Sequence, residues 1–370
     1  MSNTLISTVG ASLLGNLRVD ERLRELFEKG KVDEISDYLL TLDEDPESYR
    51  GYGAEINSIV SIIKKGYISE MKNLYFLISD TLDGKKIGGI LKNYFEKSEF
   101  KFEHVEIKVN EKLDDSKPYD FKIYGLKNLI KNMASIIRQH YGSVIINATG
   151  GYKAQIAFAL ALGQGLKVPV YYRFERFPEV IELEPLPLNL DPNLYFLCRD
   201  LFEDLQDDIK NYNEYDSMYK SLSREARIFF DITKIDNEKY ISISPMGQIY
   251  IESIKNEFYH LKDKIKLKKR EQELLFLSSD SEGHSKELIN KYNLKKIFED
   301  FEYIEKIRVL RYSLHEKSTK AKVKIRGNNI IIILQTRQGI LHLEAETTAN
   351  NENELEIIKL KLEEYLNNKF

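Results

Sequence analysis

Apolar and polar positions in the first half of the chain alternate in the manner of an α/β protein. Short β-branched runs predict five strands, at Thr4–Val9, Leu74–Ile78, His104–Val109, Ser143–Asn147 and Val168–Phe174. Helical periodicity lies between them, at Arg22–Glu28, Ala54–Lys65, Lys86–Glu96, Leu126–His140 and Ala154–Gly163. Strands separated by helices favour a parallel, doubly wound sheet, in which ligands bind beyond the carboxyl ends of the strands.

The pattern changes at EPLPLNLDP, residues 184–192. Its three prolines are incompatible with a helix interior or a central strand, so we expect a domain boundary here. The chain is then expected to form three domains, over residues 1–190, 191–260 and 261–370. In the second domain, helices followed by LSREARIFFDI and YISISPMGQIYIESI resemble a winged helix, with Pro245 and Gly247 at the tip or exit of the wing.

The last domain is predicted to be of the α+β class. The basic run KDKIKLKKR, residues 262–270, is expected to be a helical connector, and two helical segments follow it. KAKVKIRG then alternates strictly, which places Lys320, Lys322, Lys324 and Arg326 on one strand face. The stretches IIIIL and ILHLEAE, after the turns GNN and TRQG, complete an antiparallel meander with one strongly basic face, and NELEIIKLKLEEYL predicts a closing helix.

Composition narrows the class of protein. The chain has 370 residues and a net charge of −4, yet residues 306–342 hold nine Lys or Arg and a single acid, Glu316, so nucleic acid is a candidate partner of this segment. The one cysteine, Cys198, argues against a disulfide scaffold and fits a reducing cytoplasm. We expect neither a signal peptide nor a membrane helix, because no long apolar run follows a basic start and none approaches about 20 residues.

Three loops that open helices carry the candidate chemistry. They follow the first, second and fourth predicted strands and read TVGASLLGNL, SDTLDGKK and NATGGYK. The phosphate-loop and dinucleotide motifs are absent, which leaves anion binding at helix N-termini. Candidate donors are the backbone N–H groups of Gly150, Gly151 and Tyr152, the ammonium of Lys153, and the polar groups of Ser12, Ser79, Asn147 and Thr149. For each loop taken singly, a plain tight turn is the alternative.

The stretches TVGASLLGNL, LISDTLDG and VIINATGGYKAQIAFALALGQGLKVPVYYRFERFPEVIELEPLP resemble the CARF family, the CRISPR-associated Rossmann fold, over about residues 1–190. The resemblance implies a homodimeric sensor of cyclic oligoadenylate, the messenger of type III CRISPR complexes, with the tetra-adenylate as expected activator and no further cofactor or metal. It places ligand contacts at Gly10, Ala11, Ser12, Leu13, Asn147, Thr149, Gly150, Gly151 and Lys153. Slow cleavage of the activator by Ser12 and Lys153 is a further hypothesis. A dimer supplies each anion site twice, as a two-fold symmetric ring requires.

The C-terminal meander resembles the RelE family of ribosome-dependent mRNA interferases, over about residues 271–370. The match lies in Lys322-Val-Lys-Ile-Arg326, and it implies metal-independent RNA cleavage by the 2′-OH, with RNA and the ribosome as partners. Clustered cations would stabilise the phosphate, a lysine would act as base, and His315 or His342 would act as acid. The family's arginine on the next strand is missing from Ile330–Leu334, so Arg337, Arg311 or Arg308 would replace it.

Two alternative activities of the C-terminal part stay open, a HEPN-type ribonuclease and a nucleic-acid-binding regulator. Arg308 and His315 have the spacing of a HEPN ribonuclease motif, but HEPN domains are helical and this motif runs into predicted strands. A metal-dependent PD-(D/E)xK nuclease would need acids on adjacent strands, whereas Glu344 and Glu346 stand on one strand. The second alternative is a ligand-switched winged-helix regulator whose basic sheet merely binds nucleic acid; Arg224 and Arg227 would be its basic recognition residues.

Overall fold

The structure is a computed structural model that describes residues 2–174, 177–187, 190–206, 208–277, 283–313 and 320–370, and leaves aside the side chains of residues 283, 284 and 320. The chain divides into two compact units. The first comprises Met1–Leu190, Asn211–Glu214 and Ser223–Ser253, and the second comprises Asp191–Lys210, Tyr215–Leu222 and Ile254–Phe370. Among the described residues, no helix combines the length and the apolar character needed to cross a membrane.

The chain up to residue 190 alternates strands and helices. The strands are β1 (Thr4–Thr8), β2 (Asn73–Ser79), β3 (His104–Asn110), β4 (Val144–Asn147), β5 (Val170–Tyr172) and β6 (Ile181–Leu183). The helices are α1 (Ser12–Leu17), α2 (Glu21–Glu28), α3 (Val32–Leu40), α4 (Gly53–Lys64), α5 (Leu82–Lys97), α6 (Pro118–Asp120), α7 (Leu126–Gln139) and α8 (Lys153–Leu166), with a 3₁₀ turn at Arg50–Tyr52 and a π turn at Phe121–Gly125.

These strands form one six-stranded sheet in the order β3-β2-β1-β4-β5-β6. Neighbouring strands are parallel, except that β6 runs antiparallel to β5. The predicted parallel, doubly wound sheet is therefore confirmed. The strand order reverses between β1 and β4, and the loops after these two strands flank the point at which such sheets bind ligands.

Both faces of the sheet are covered, as a parallel sheet requires. Alternate side chains along a strand point to opposite faces, so Leu74 and Phe76 join the apolar cluster that contains residues of α1 to α5. Tyr75 and Leu77 join the cluster that contains residues of α7 and α8. The strand β5 begins later than predicted because Pro169 has no N–H to contribute to the sheet, and it ends at Tyr172.

Between residues 191 and 261 the structure has α9 (Pro192–Leu205), β7 (Lys210–Asn211), a turn at Tyr212–Glu214, α10 (Asp216–Ser221), α11 (Arg224–Arg227), β8 (Phe230–Ile235), β9 (Glu238–Ile243) and α12 (Pro245–Leu261). The strands β7, β9 and β8 form a small sheet in that order. Asp236 and Asn237 close the β8–β9 hairpin with φ of 46° and 69°, as a type I′ turn requires.

The start of α12, after this hairpin, corrects one prediction. Pro245 and Gly247, expected at the tip or exit of a wing, lie in the first turn of α12. Proline suits the first position of a helix because its missing N–H would have no partner there. The Ser244 hydroxyl accepts the Gly247 N–H at 3.0 Å and caps the same turn. Assignment of a winged-helix domain to residues 191–260 stays a prediction.

The rest of the chain contains β10 (Leu275–Leu277), α13 (Gly283–Lys291), α14 (Leu294–Glu299), β11 (Ile304–Ser313), β12 (Lys320–Arg326), β13 (Asn329–Thr336), β14 (Gly339–Thr347) and α15 (Glu352–Asn367). These strands form a sheet in the order β10-β11-β14-β13-β12. The predicted antiparallel meander is confirmed for β12, β13 and β14. The sequence did not predict β11, which pairs antiparallel with β14.

The segment 262–270 corrects a second prediction, because α12 ends at Leu261 and the basic run after it is not helical. Arg270 holds its end in place. The Arg270 guanidinium donates to the main-chain carbonyls of Glu299 at 2.7 Å and Ile304 at 2.9 Å, ahead of and at the start of β11. These bonds tie the run to the loop before β11, and the repulsion among its lysines also opposes a helix.

A group of buried charges lies where α9 and α15 pack in the second unit. Glu203, Glu356 and Lys359 are each no more than 5% exposed, and the Lys359 ammonium forms an ion pair with Glu203. Burial works against the charged form of Lys359, but the carboxylates of Glu203 and Glu356 outweigh it and raise the Lys359 pKa well above its ordinary value. This lysine therefore compensates the charge of the buried Glu203 carboxylate, whereas burial raises the Glu356 pKa and favours the uncharged form of that acid.

Replacement of Lys359 by alanine should destabilise the second unit, because the buried Glu203 carboxylate would lose its ion-pair partner. We expect the free energy of unfolding to fall by about 3–5 kcal/mol in urea denaturation. The matched control is Lys361→Ala, on the same helix, whose ion pair at 3.2 Å is with an Asp263 side chain that is 76% exposed. That change should cost less than about 1 kcal/mol. Equal losses for the two variants would contradict a central role for Lys359.

Candidate functional site

The loop after β1 and the loop after β4 meet at the switch point of the sheet. A Cβ atom built on Gly10 would lie 2.4 Å from the backbone nitrogen of Gly151, so the two main chains approach closely. The Thr8 hydroxyl donates to the Gly150 carbonyl at 2.5 Å and joins the loops a second time. The structure thus brings together residues separated by more than a hundred positions, as the motif reading expected.

Asn147 supports the second of these loops from within. It is fully buried, and its amide donates to the hydroxyls of Ser7 at 3.1 Å and Ser58 at 2.8 Å. Its Oδ1 accepts the Thr149 hydroxyl at 2.7 Å. Leu13 is also fully buried, in the apolar core. Both residues were expected at the ligand, but the structure gives them no surface, because their side chains build the loops.

The remaining candidates of these loops reach the surface to different degrees. Ala11, Ser12 and Lys153 are exposed, whereas Gly10, Thr149 and Gly151 are partly buried and Gly150 is buried. The Ser12 hydroxyl accepts the Ala54 N–H of α4 at 3.1 Å, which directs its own hydrogen to another partner. Lys153 is the first residue of α8, where its charge adds to the positive end of the helix dipole.

Ser79 lies at the end of β2, on the other side of β1 from β4. Its hydroxyl is bonded to that of Thr81 at 2.9 Å, and Thr81 caps α5 by accepting the Gly84 N–H at 3.0 Å. Asp80 in the same loop is paired with Lys85 at 2.8 Å. The loop after β2 is therefore held by these bonds and by the Lys112 N–H after β3, which donates to Asp80 at 3.2 Å. Ser79 remains a candidate of the outer part of the site.

Two main-chain donors point inward. The Tyr152 N–H, expected to face a phosphate, donates to Gln155 Oε1 at 2.6 Å, which corrects that expectation. The Gly10 N–H donates to Glu55 Oε1 at 2.7 Å. Sequence reasoning missed Glu55 because an acid in the first turn of a helix is ordinary helix chemistry and carries no functional signal of its own.

Arg173, which follows β5, was also missed. Its guanidinium donates to the main-chain carbonyls of Glu47 at 2.5 Å and Asn57 at 3.0 Å, and its backbone N–H donates to the Thr149 hydroxyl at 3.0 Å. Burial lowers the Arg173 pKa from its ordinary value. This arginine therefore links the loop after β4 to the segment before α4 and to α4 itself, through hydrogen bonds that support the backbone.

In the second unit, the alternation predicted for β12 is confirmed. Val323 and Ile325 are buried in the core, whereas Lys322 and Lys324 are partly exposed and Arg326 is exposed. Lys320 lies on the same face by its position along the strand. The residues paired with these cations on β13 are Ile333, Ile331 and Asn329, so none of them faces an acid on its nearest strand.

The far half of this sheet face is not basic, contrary to the predicted strongly basic surface. Glu344 on β14 lies 3.6 Å from Arg308 and accepts a hydrogen bond from Asn329 at 3.1 Å. Glu346 forms an ion pair with Lys306 at 2.7 Å. The neutralisation arises because β11, which the sequence did not predict, pairs with β14 and sets its cations beside the two acids.

The catalytic candidates are spread over this face. The Lys324 ammonium donates to the Glu203 main-chain carbonyl at 2.5 Å and is therefore already bound within the unit. Arg311 is exposed and is the register partner of His342, three strands from Lys322, or about 14 Å at the usual strand spacing. Arg337 is exposed in the β13–β14 turn, roughly 13 Å along the strand from that row.

Of the two candidate catalytic histidines, the structure describes His342. His342 is partly buried, and burial together with the charge of Arg311 lowers its pKa, so the neutral imidazole is favoured at pH 7. His315 lies outside the described residues. Arg308, its partner in a HEPN motif, lies on the strand β11 instead of a helix, which is inconsistent with that motif. Within the described ranges, no three His, Cys, Asp or Glu side chains converge to hold a metal ion.

By its fold, the first unit contains a doubly wound α/β sheet, and the candidate site lies at its switch point. Comparison with known families agrees with the CRISPR-associated resemblance. Residues 50–186, from the turn before α4 to the end of β6, match the family model described as CRISPR-associated protein (Cas_APE2256). The segment includes the loop after β4, whereas the loop after β1 lies outside it.

Among solved structures, the chain matches Can2 from Sulfobacillus thermosulfidooxidans, a structure in complex with cyclic tetra-adenylate. The match has 9% sequence identity and covers 91% of this chain and 78% of that chain, with a TM-score of 0.26. This score is too low to establish a common fold. A comparison with curated proteins found no match.

The contact between the loops can be tested without a ligand. Gly10→Ala should destabilise the first unit by about 1–3 kcal/mol, because the new methyl group would press on the backbone of Gly151. The control is Gly15→Ala in α1, where a Cβ would meet nothing within 4 Å. Alanine there should be neutral or stabilise by up to about 1 kcal/mol. Urea denaturation compares the two, and an unchanged Gly10→Ala protein would contradict the close approach.

Proposed function

We propose that residues 1–190 form a sensor that binds cyclic oligoadenylate, in the context of a type III CRISPR system. The observation that carries this proposal is the close approach of Gly10 to Gly151 at the switch point of the sheet. Two loops that open helices and converge at such a point provide oriented N–H groups for an anion. The match of residues 50–186 to a CRISPR-associated family supports the biological context.

The groups that would meet the ligand are those that the structure leaves at the surface of the two loops. Ser12 supplies a hydroxyl hydrogen, Lys153 supplies an ammonium, and Gly151 supplies a backbone N–H from the turn before α8. A phosphate diester carries one negative charge, so a charge-assisted contact with Lys153 would be the strongest single interaction. Thr149 and Asn147 would hold the loop in place.

We further propose that the sensor acts as a homodimer. The elements after β2 and β3 carry large apolar side chains at the surface, with Leu82 79% exposed and Tyr119 42% exposed. A second copy placed against this edge would cover them and present the same loops again across a two-fold axis. A ring of four adenylates has the same symmetry, so each copy would meet an equivalent half of the ligand.

For the output, we propose metal-independent RNA cleavage by the sheet of the second unit, in the manner of the RelE family. The strand β12 places Lys322 and Arg326 on one face, where their register partners on β13 are Ile333 and Asn329. Such cations would stabilise the charge that develops on the phosphate while the 2′-OH attacks it. A neutral His342 would accept the proton of the attacking 2′-OH, and the Lys322 ammonium would donate a proton to the 5′-oxygen as the P–O5′ bond breaks. Lys324, bound to the Glu203 carbonyl, would shape the strand.

A second candidate is a ligand-switched protein that binds nucleic acid without cutting it. It is favoured by the ion pairs of Glu344 and Glu346 with Arg308 and Lys306, which remove part of the catalytic charge. Binding needs a moderate basic patch, whereas cleavage needs a base and an acid in line with one phosphate. RNA that is retained but never cleaved, with and without ligand, would select this second function.

The ligand is tested by calorimetry with cyclic tetra-adenylate. Lys153→Ala should weaken binding by about 1.5–3 kcal/mol, because a charge-assisted contact is lost. Lys101→Ala is the control, since this exposed lysine lies before β3, at the amino end of the sheet. It should bind as the wild type does. A Lys153→Ala protein with unchanged affinity would remove this residue from the site.

The output is tested with RNA and with translating ribosomes, in the presence and absence of cyclic tetra-adenylate. Lys322→Ala should abolish ligand-stimulated cleavage, since it removes a central cation of β12, while Lys361→Ala on α15 should cleave normally. EDTA should have no effect, and the products should end in a 2′,3′-cyclic phosphate or its 3′-phosphate hydrolysis product. Loss of cleavage in EDTA would instead indicate a metal-dependent nuclease.

A further inference from the structure

The carboxyl group of Glu55 lies beneath the two glycine loops. Glu55 stands in the first turn of α4, it is fully buried, and its Oε1 accepts the Gly10 N–H at 2.7 Å. A Cβ atom built on Gly150 would lie 2.3 Å from the same oxygen and 2.8 Å from the Thr8 carbonyl. One oxygen of this side chain therefore contacts the loop after β1 and the loop after β4 at the same time.

The other carboxyl oxygen is unusual. Glu55 Oε2 is buried and has no hydrogen-bond partner among the described residues. An ionised carboxylate in this place would lack the several donors that normally compensate for the loss of water, and it would be costly. Burial raises the Glu55 pKa, and the hydrogen bonds from the Gly10 N–H and its own N–H oppose that shift. The surroundings favour the uncharged acid.

We propose that Glu55 is a positioning residue of the sensor site, which braces the two glycine loops as a neutral acid and weakens anion binding when it ionises. This inference rests on the proposed function, because it concerns an anion held by the same two loops. Glu55 does not contact the ligand. It acts through Gly10 and Gly150, whose backbones it holds at the spacing that lets exposed groups of both loops converge.

The effect of a Glu55 charge on anion binding follows from the position of its carboxyl group. A negative charge directly below the loops would repel a phosphate diester above them, across an interior with a low effective dielectric constant. The groups next to the Glu55 carboxyl are uncharged: the Gly10 N–H, the Gly150 backbone and its own N–H at the start of α4. Within the described residues, no cation meets the carboxyl group to cancel its charge.

The sign of the pH dependence is therefore defined. The neutral form predominates below the raised pKa, so affinity for an anion is highest there and falls as pH rises through it. Because this pKa is raised in the folded protein, the fall lies at a pH above the ordinary value for glutamate, about 4.3. In calorimetry with cyclic tetra-adenylate from pH 5 to pH 9, the dissociation constant of the wild type should rise about ten- to a hundredfold.

Glu55→Gln is the decisive variant. Its amide oxygen can still accept the Gly10 N–H, and it remains neutral at every pH. Its affinity should match that of the wild type at pH 5 and should change far less toward pH 9. Glu103→Gln, at an exposed position before β3, is the matched control and should keep the pH profile of the wild type. Identical profiles for wild type and Glu55→Gln would overturn the proposal, as would a Glu55→Gln protein that folds but binds at least tenfold more weakly at pH 5.

Urea denaturation without ligand separates this inference from the proposed function. A buried acid with a raised pKa binds a proton more tightly in the folded state, so its contribution to stability falls as pH rises above about 4.3. Glu55→Gln should therefore gain stability relative to the wild type as pH increases. If wild type binds no cyclic tetra-adenylate at any pH, the proposed function fails, and this stability difference alone decides whether Glu55 is the neutral brace. A constant difference would overturn it.

Discussion

The close approach of the loops after β1 and β4 is the constraint on which the rest of the first unit depends. It exists because these strands are neighbours in the sheet although they are far apart in sequence. At the point of contact a side chain on Gly10 would overlap the Gly151 backbone, and one on Gly150 would overlap Glu55. Glycine is required at these two positions by lack of space.

The polar groups around this contact are of two kinds, buried groups that support the loops and exposed groups at the surface. Asn147, Thr8 and Glu55 are buried and spend their hydrogen bonds on the loops themselves. Ser12 and Lys153 lie above them at the surface. A site with this organisation is held in shape before any ligand arrives, so less of the binding energy is lost to ordering the loops.

In the second unit, several cations lie close together on one face of a sheet, and their mutual repulsion has to be offset. Along β14 and β11 the charges are compensated by ion pairs. Along β12, Lys324 is bound to a main-chain carbonyl of α9, next to the buried pair of Glu203 and Lys359. Lys324 is thus anchored to the same helix that carries the buried acid.

The sequence by itself determined the local elements, because periods of 2 and 3.6 are local properties. It located β1 to β4 and the helices α2, α4, α5, α7 and α8 to within a few residues. It missed β11, whose register shifts between Ile304 and Lys306 and between Val309 and Arg311 break the alternation. It misread Pro245, because proline suits both a turn and the first position of a helix.

Only the tertiary structure decided which polar groups meet. Glu55 and Gly10 are 45 positions apart, and Lys324 and Glu203 are 121 positions apart. No local pattern encodes such pairs, since each depends on the order of strands in a sheet or on how a helix packs against an edge strand. The same holds for exposure. The family resemblance predicted ligand contacts at Leu13, Asn147, Ser12 and Lys153 alike. Packing placed Leu13 and Asn147 in the interior and left Ser12 and Lys153 at the surface.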